Sequence, residues 1–129
     1  MTGYKINRDK LSLRLDIGDF TLSIDTLIPC GLIINELMTN SMKYAFVDGR
    51  DGQISIKGQV SAESEVQLVY RDNGIGFPGG FDFTKVETLG LRLINGLITA
   101  QLRGKIEITT RPETTFTFAF REPGYQPRM

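Results

Sequence analysis

The chain has 129 residues, no His, no Trp, a single Cys, and 15 Lys+Arg balanced by 15 Asp+Glu. That length suits one domain with its own core, and zero net charge removes the electrostatic footprint of a nucleic-acid binder. The lone Cys30 excludes an internal disulfide and any multi-cysteine metal centre, while the absence of His excludes imidazole catalysis and His-ligated metals. The longest near-apolar stretch, Leu27 to Ile34, is too short to span a bilayer, and the N-terminus has no signal-peptide pattern. The reading is a single cytoplasmic domain over 1–129 that touches neither membrane nor nucleic acid. Its core runs from about Leu11 to Arg121, and a polar tail over 122–129 is expected to fray.

Leu11, Leu13 and Leu15 alternate with polar residues and predict a strand. After a turn at Ile17-Gly18-Asp19, the alternation of Phe20, Leu22 and Ile24 predicts a second strand, and the two form a hairpin. Thr26 to Phe46 predicts a long helix capped by Asp25 or Thr26, with Pro29 in its first turn. Its buried face is expected to run through Leu27, Gly31, Ile34, Met38, Met42 and Ala45, with close packing against Gly31.

Val47 to Gly52 is a turn cluster. Strands follow around Ile54 and Ile56 and over Val66, Leu68 and Tyr70, separated by a turn at Ser61 to Ser64. Asp72 shares the parity of that second strand and ends it. The glycine-rich run Asp72 to Gly80 cannot be regular structure. Leu89 to Arg103 predicts a second helix, with Thr88 as cap and Gly104 as its stop. Ile106 and Ile108, then Phe116, Phe118 and Phe120, predict two closing strands. Hairpin pairs separated by helices favour a two-layer α+β sandwich over a doubly wound parallel sheet.

Four places along the chain carry polar groups suited to chemistry. Glu36, Asn40 and Lys43 are spaced i, i+4 and i+7, within a helical stripe of about 60°. A carboxylate, an amide and an ammonium in line can polarise a hydroxyl, ligate a hard cation and meet phosphate; a solvated helix face has the same pattern. Asp72-Asn73-Gly74-Ile75-Gly76 follows a strand. There a carboxylate can accept from an exocyclic amine, and the glycines let backbone approach a flat ring; a plain glycine turn would look alike. Thr88-Leu89-Gly90-Leu91 opens the second helix, where free N–H groups suit an anion, although ordinary capping explains the same residues. Thr114 shares the parity of the Phe row, so its hydroxyl needs a partner from ligand, water or backbone.

In this order the four sites resemble the nucleotide-binding boxes of the GHKL ATPase superfamily, which includes gyrase, MutL, the large heat-shock chaperone and histidine kinases. Asn35 to Phe46 (NELMTNSMKYAF) is similar to the N box and Asp72 to Gly76 (DNGIG) to the G1 box. Thr88 to Leu91 (TLGL) is similar to a short G2 box, and Thr114-Thr115-Phe116 to the final Thr-x-Phe strand. Within the superfamily, the chain most resembles the catalytic and ATP-binding domain of two-component sensor histidine kinases. The resemblance implies a Bergerat-type fold, with a mixed, mostly antiparallel sheet packed on helices.

It further implies that ATP and Mg²⁺ bind, with Asn40 as metal ligand. Glu36 falls at the position of the catalytic carboxylate of the ATPase relatives, where in a kinase it either helps deprotonate the incoming imidazole or only holds Mg²⁺ water, and Lys43 falls at that of a phosphate contact. Tyr44 lies against adenine or ribose, and Asp72 accepts from the adenine amine. Gly74 and Gly76 allow the ring to approach, Thr88, Gly90 and Leu91 surround the phosphates, and Thr114 supports the adenine end. Phe77 to Thr88 forms a lid. The G2 box keeps only Gly90, and Glu113 stands where a Gly often precedes the final Thr. Lacking His, the chain has no phosphoacceptor of its own; the resemblance implies that this His lies on a separate or missing dimerisation domain, with a response regulator downstream. The isolated domain is expected to be a monomer, because no long apolar edge is evident. Two alternatives on the same fold are an ATP-binding pseudokinase module and an anti-sigma-type serine kinase; an ATP-driven clamp of the MutL kind would need a second domain.

Overall fold

The computed structural model describes residues 11–46, 51–61, 63–74, 89–109 and 113–121. Five strands form one sheet: β1 (Leu11–Ile17), β2 (Gly52–Val60), β3 (Glu65–Asp72), β4 (Lys105–Thr109) and β5 (Thr114–Arg121). Two helices, α1 (Ile24–Asn40) and α2 (Leu89–Gly96), each run directly into a π-helical turn, Ser41–Ala45 and Leu97–Gln101 respectively. The sheet order is β1-β2-β3-β5-β4. β1 pairs with β2 in parallel, and the other neighbours are antiparallel. The expected two-layer α+β sandwich with a mixed, mostly antiparallel sheet is the fold observed.

Period-2 patterning fixes which sheet face is covered. On β3, Val66, Leu68, Tyr70 and Asp72 are buried, and on β5, Thr114, Phe116, Phe118 and Phe120. Antiparallel register sets these rows directly opposite one another, as Val66–Phe120, Leu68–Phe118, Tyr70–Phe116 and Asp72–Thr114. Tyr70 and Phe116 meet edge to face, with ring centroids 6.4 Å apart. Ile33 and Leu37 of α1, Ile94 of α2 and Ile98 of the second π turn complete a single core over this face. Each such fully buried side chain contributes about 1.5–3 kcal/mol.

The predicted N-terminal hairpin does not form. Residues 20–23 lie in an extended connector and Ile24 is the first residue of α1, so Phe20 to Ile24 is not a strand. β1 instead pairs with β2, whose parallel direction requires a crossover, which α1 supplies. Phe20 and Leu22 pack against the core from the connector, which explains their strand-like alternation without any strand partner.

The helix begins at Ser23, not at Asp25 or Thr26. The Ser23 carbonyl accepts from the N–H groups of Thr26 (3.1 Å) and Leu27 (2.8 Å), and its hydroxyl lies 3.1 Å from that of Thr26. Pro29 therefore sits beyond the first turn. The buried face of α1 is Thr26, Pro29, Cys30, Ile33 and Leu37. Ile34 and Met38 of the expected face pack against the core, partly buried, but Leu27 is 52% exposed and a Cβ on Gly31 would meet nothing within 4 Å, so the face is corrected at Leu27 and the expected packing at Gly31 is absent. The helix carries two apolar stripes, and the sheet covers the one through Cys30. Ile24, Leu27, Ile28 and Leu32 of α1 stay exposed, as do Leu13, Leu15 and Ile17 of β1, so the edge strand does carry an exposed apolar row.

The predicted unbroken helix to Phe46 is α-helical only to Asn40. Beyond it, the Phe46 N–H reaches back to the Ser41 carbonyl at 3.2 Å, an i→i+5 bond. The core-facing series steps by three or four from Thr26 to Ser41, then by five to Phe46. The second helix ends in the same way, with the Leu102 N–H on the Leu97 carbonyl at 2.9 Å. Gly104 closes that helix as expected, its N–H bonding the Ile98 carbonyl at 2.7 Å, although the left-handed residue is Arg103 (φ 53°). A Cβ on Gly104 would collide with the Ala119 backbone. The expected lid, Phe77 to Thr88, and the tail, 122–129, lie outside the described residues.

Candidate functional site

The two facing rows of β3 and β5 are apolar until their last pair, Asp72 and Thr114, each 4% exposed. Asp72 Oδ2 accepts from the Ser41 hydroxyl at 2.7 Å, and Oδ1 accepts from the Gly74 N–H at 3.1 Å. Tyr70, two residues earlier on the same face, brings its hydroxyl to 2.6 Å from Ser41 Oγ and donates to the Leu37 carbonyl at 3.2 Å. Burial, more than anything else, pushes the Tyr70 phenol far above its ordinary value. The Ser41 hydrogen bond opposes this and the charge of Asp72 adds to it. Tyr70 is therefore a permanent hydrogen-bond donor at working pH.

Thr114 Oγ1 is fully buried and has no hydrogen-bond partner among the described residues. A hydroxyl in that condition costs about 1–3 kcal/mol unless something pairs with it. Directly opposite, Asp72 uses one acceptor site on each oxygen and retains a second on each. No ion pair compensates its carboxylate among the described residues. This end of the sheet thus offers an acceptor-rich carboxylate and an unsatisfied hydroxyl side by side, on a floor of Tyr70 and Phe116.

Asn73 continues the β2–β3 ladder past Asp72. Its N–H donates to the Gln53 carbonyl (3.2 Å) and its Oδ1 accepts the Gln53 N–H (2.7 Å), which holds the start of the glycine run in register. Gly52, next to Gln53, has no room for a Cβ, because Leu11 and Phe46 side chains close over it.

Glu36 and Asn40 lie in the last turns of α1, both partly buried. Lys43 is exposed and, like Tyr44, belongs to the π turn, so the 100° helical step behind the Glu36–Asn40–Lys43 stripe ends at Asn40. Asn40 precedes Ser41, and the Ser41–Asp72 bond ties this helix end to the end of β3. Gly74 is partly buried, and its N–H anchors the carboxylate. Gly90 and Leu91 lie in the first turn of α2. Gly76 and Thr88 fall outside the described residues. Among the described residues no group of three or more acidic or Cys side chains could hold a metal alone. A hard cation at Asn40 would take most of its oxygens from phosphate and water, which fits Mg²⁺ better than Ca²⁺.

Ser41 and Tyr70 were not among the expected site residues. The signal was present: Tyr70 shares the parity of Asp72, and Ser41 is the one hydroxyl in the otherwise apolar series Ile33, Leu37, Ser41.

Residues 27–124 match the family described as histidine kinase-, DNA gyrase B- and HSP90-like ATPase, and the chain belongs to that family. Over 109 residues it is 29% identical to the sensor histidine kinase PdtaS of Mycobacterium tuberculosis, covering 83% of this chain and 22% of that protein. Over 93 residues it is 32% identical to PdtaS of Mycolicibacterium smegmatis, covering 71% of this chain and 18% of that one. The chain thus spans about a fifth of the length of these relatives. The fold matches the histidine kinase domain of a blue-light activated histidine kinase from Erythrobacter litoralis with a TM-score of 0.79 at 20% identity, covering 88% of this chain and 52% of that chain. The expected class, a catalytic ATPase domain of the histidine kinase type, agrees with each of these likenesses. Among the described residues no helix is long and apolar enough to cross a membrane.

Proposed function

We propose that this domain binds ATP with its base against Asp72 and Thr114. With Mg²⁺, it then presents the γ-phosphoryl to a histidine on a separate phosphoacceptor domain. The observation that carries the reading is the buried Thr114 hydroxyl, without a partner among the described residues, facing a carboxylate with spare acceptor capacity. A purine with an exocyclic amine gives the carboxylate a donor. Its ring nitrogens, directly or through a water, give the hydroxyl an acceptor. A carbonyl in place of the amine would set two acceptors against each other, so adenine is favoured over guanine.

Asn40 would hold Mg²⁺, which when bound neutralises charge on the transferring group. Lys43 would meet phosphate oxygens, Tyr44 the base or ribose, and Gly90 and Leu91, at the start of α2, the phosphate end. Gly76 and Thr88 would complete the base and phosphate boxes. In the transfer, an imidazole nitrogen bonds to the γ-phosphorus, the bond to the ADP oxygen breaks, and Glu36 is the carboxylate available to take the imidazole proton. With no His in this chain the acceptor lies elsewhere. The phosphoryl group would pass on to a response regulator, in a cytoplasmic setting.

The test is titration with ATP and Mg²⁺, followed by transfer of labelled γ-phosphoryl to an added histidine domain. Asp72→Asn should weaken ATP binding by about ten- to a hundredfold, the worth of a charge-assisted hydrogen bond. Unchanged ATP affinity in a folded Asp72→Asn protein would refute the base assignment. Tight ATP binding with no transfer would favour a pseudokinase.

A further inference from the structure

Asp72 is held by a chain of hydroxyls whose protons all run one way. A carboxylate has no proton to give, so the 2.7 Å contact with Ser41 uses the Ser41 proton. The 2.6 Å contact between Ser41 and Tyr70 must then use the phenol proton. The Leu37 carbonyl, at 3.2 Å, shares that same proton more weakly. Tyr70 thus polarises Ser41, and Ser41 donates to Oδ2, while the Gly74 N–H pins Oδ1 from the other side. Three separate parts of the chain, the π turn after α1, β3 and the start of the glycine run, fix the plane of one buried carboxylate.

We infer that Ser41 and Tyr70 are positioning residues that make Asp72 select a purine with an amine, rather than a carbonyl, at the ring position it faces. The inference rests on the proposed base site and adds to it the origin of its selectivity. With both oxygens held by internal donors, Asp72 faces the site as a fixed acceptor. It takes an amine and rejects a carbonyl. Without Ser41, the carboxylate is free to turn, and a water can take up the vacated place and bridge to a carbonyl. Selectivity then falls even though the carboxylate is still present. The Ser41–Asp72 bond also joins base recognition to the helix end that carries Asn40.

The experiment measures binding of ATP and of GTP by calorimetry for Ser41→Ala, Ser41→Thr, Tyr70→Phe, Asp72→Asn and the Ser41→Ala/Asp72→Asn double variant. The urea midpoint of each is recorded alongside. Ser41→Ala should weaken ATP about tenfold and leave GTP within about twofold, narrowing the selectivity. Tyr70→Phe keeps the ring against Phe116 and should shift ATP in the same direction by about threefold. Ser41→Thr, which restores the hydroxyl, should bind ATP within about threefold of the parent. In the Asp72→Asn background, Ser41→Ala should add nothing, because its effect passes through the carboxylate. Equal losses for ATP and GTP, or wild-type ATP binding in folded Ser41→Ala, would overturn the inference. Tyr70→Phe decides the matter if Ser41→Ala does not fold. Wild-type ATP binding by Asp72→Asn would instead bring down the base site itself.

Discussion

Replacing Thr114 by Val should move stability and nucleotide affinity in opposite directions. Both side chains are β-branched and of similar size, so strand preference and packing change little. What differs is one hydroxyl, which is buried and finds no hydrogen-bond partner among the described residues. Its removal relieves a penalty of about 1 kcal/mol, the low end of the usual range for a buried hydroxyl. For a chain of this length that raises the melting temperature by about 4 °C.

If the hydroxyl meets the nucleotide as proposed, binding should fall about tenfold. The two effects cross. At an ATP concentration of about 100 Kd the parent gains about 2.7 kcal/mol from binding, while a variant ten times weaker gains about 1.4 kcal/mol. The variant should therefore melt above the parent without ATP and slightly below it with ATP. Thermal unfolding at both conditions, with calorimetry for Kd, reads this directly. A valine variant that is less stable when free, yet binds ATP normally, would show that the hydroxyl serves the protein and not the nucleotide.

Asn40→Ala should leave ADP binding without Mg²⁺ near the parent value. It should weaken ATP·Mg²⁺ and nearly abolish phosphoryl transfer to an added histidine domain; near-parental transfer would reduce the helix stripe to a polar face. The raised Tyr70 phenol predicts stability lost in alkali. The unfolded phenol ionises near pH 10 while the folded one holds its proton, so unfolding is favoured as pH climbs past 10, and Tyr70→Phe should show a flatter urea-midpoint profile there. Despite the apolar row on β1, the domain should sediment as a monomer at micromolar concentration, because Arg14 and Asp16 charge that edge strand; a dimer mass would contradict this.

The parts of the fold that the sequence makes plain are those where local pattern and tertiary burial agree. Alternation through Val66, Leu68 and Tyr70, and through Phe116, Phe118 and Phe120, assigns two central strands and their covered face. The antiparallel pair β2–β3, joined by a short turn, follows from it. Pairing of β1 with β2 across α1 leaves no local trace, because an extended connector that anchors Phe20 and Leu22 alternates just as a strand does. The helix face is hidden for a similar reason. With apolar residues at Cys30, Ile33 and Leu37 and again at Ile24, Leu27, Ile28 and Leu32, periodicity supplies two candidate stripes. Only the sheet chooses between them. The π turns are equally silent, although Thr39 and Thr99 each bond back to the carbonyl four residues earlier (2.8 Å in both), a contact that loosens helices near their ends.

The site became legible where pattern and polarity part company. A period-2 row that keeps its parity but turns from Val, Leu and Tyr to Asp, opposite one that turns from Phe to Thr, places polar groups where the fold would bury hydrocarbon. Folding alone gives no reason for that substitution, since an apolar pair there would cost less. Ser41 repeats the departure on the helix, following Ile33 and Leu37 on the covered face. Tyr70 completes it by presenting a hydroxyl from an otherwise apolar position. Such local inconsistencies are expected at functional sites. Here they converge from the π turn after α1, from β3 and from β5 on the same end of the sheet, where one carboxylate is held by two internal donors beside a hydroxyl that finds no partner among the described residues.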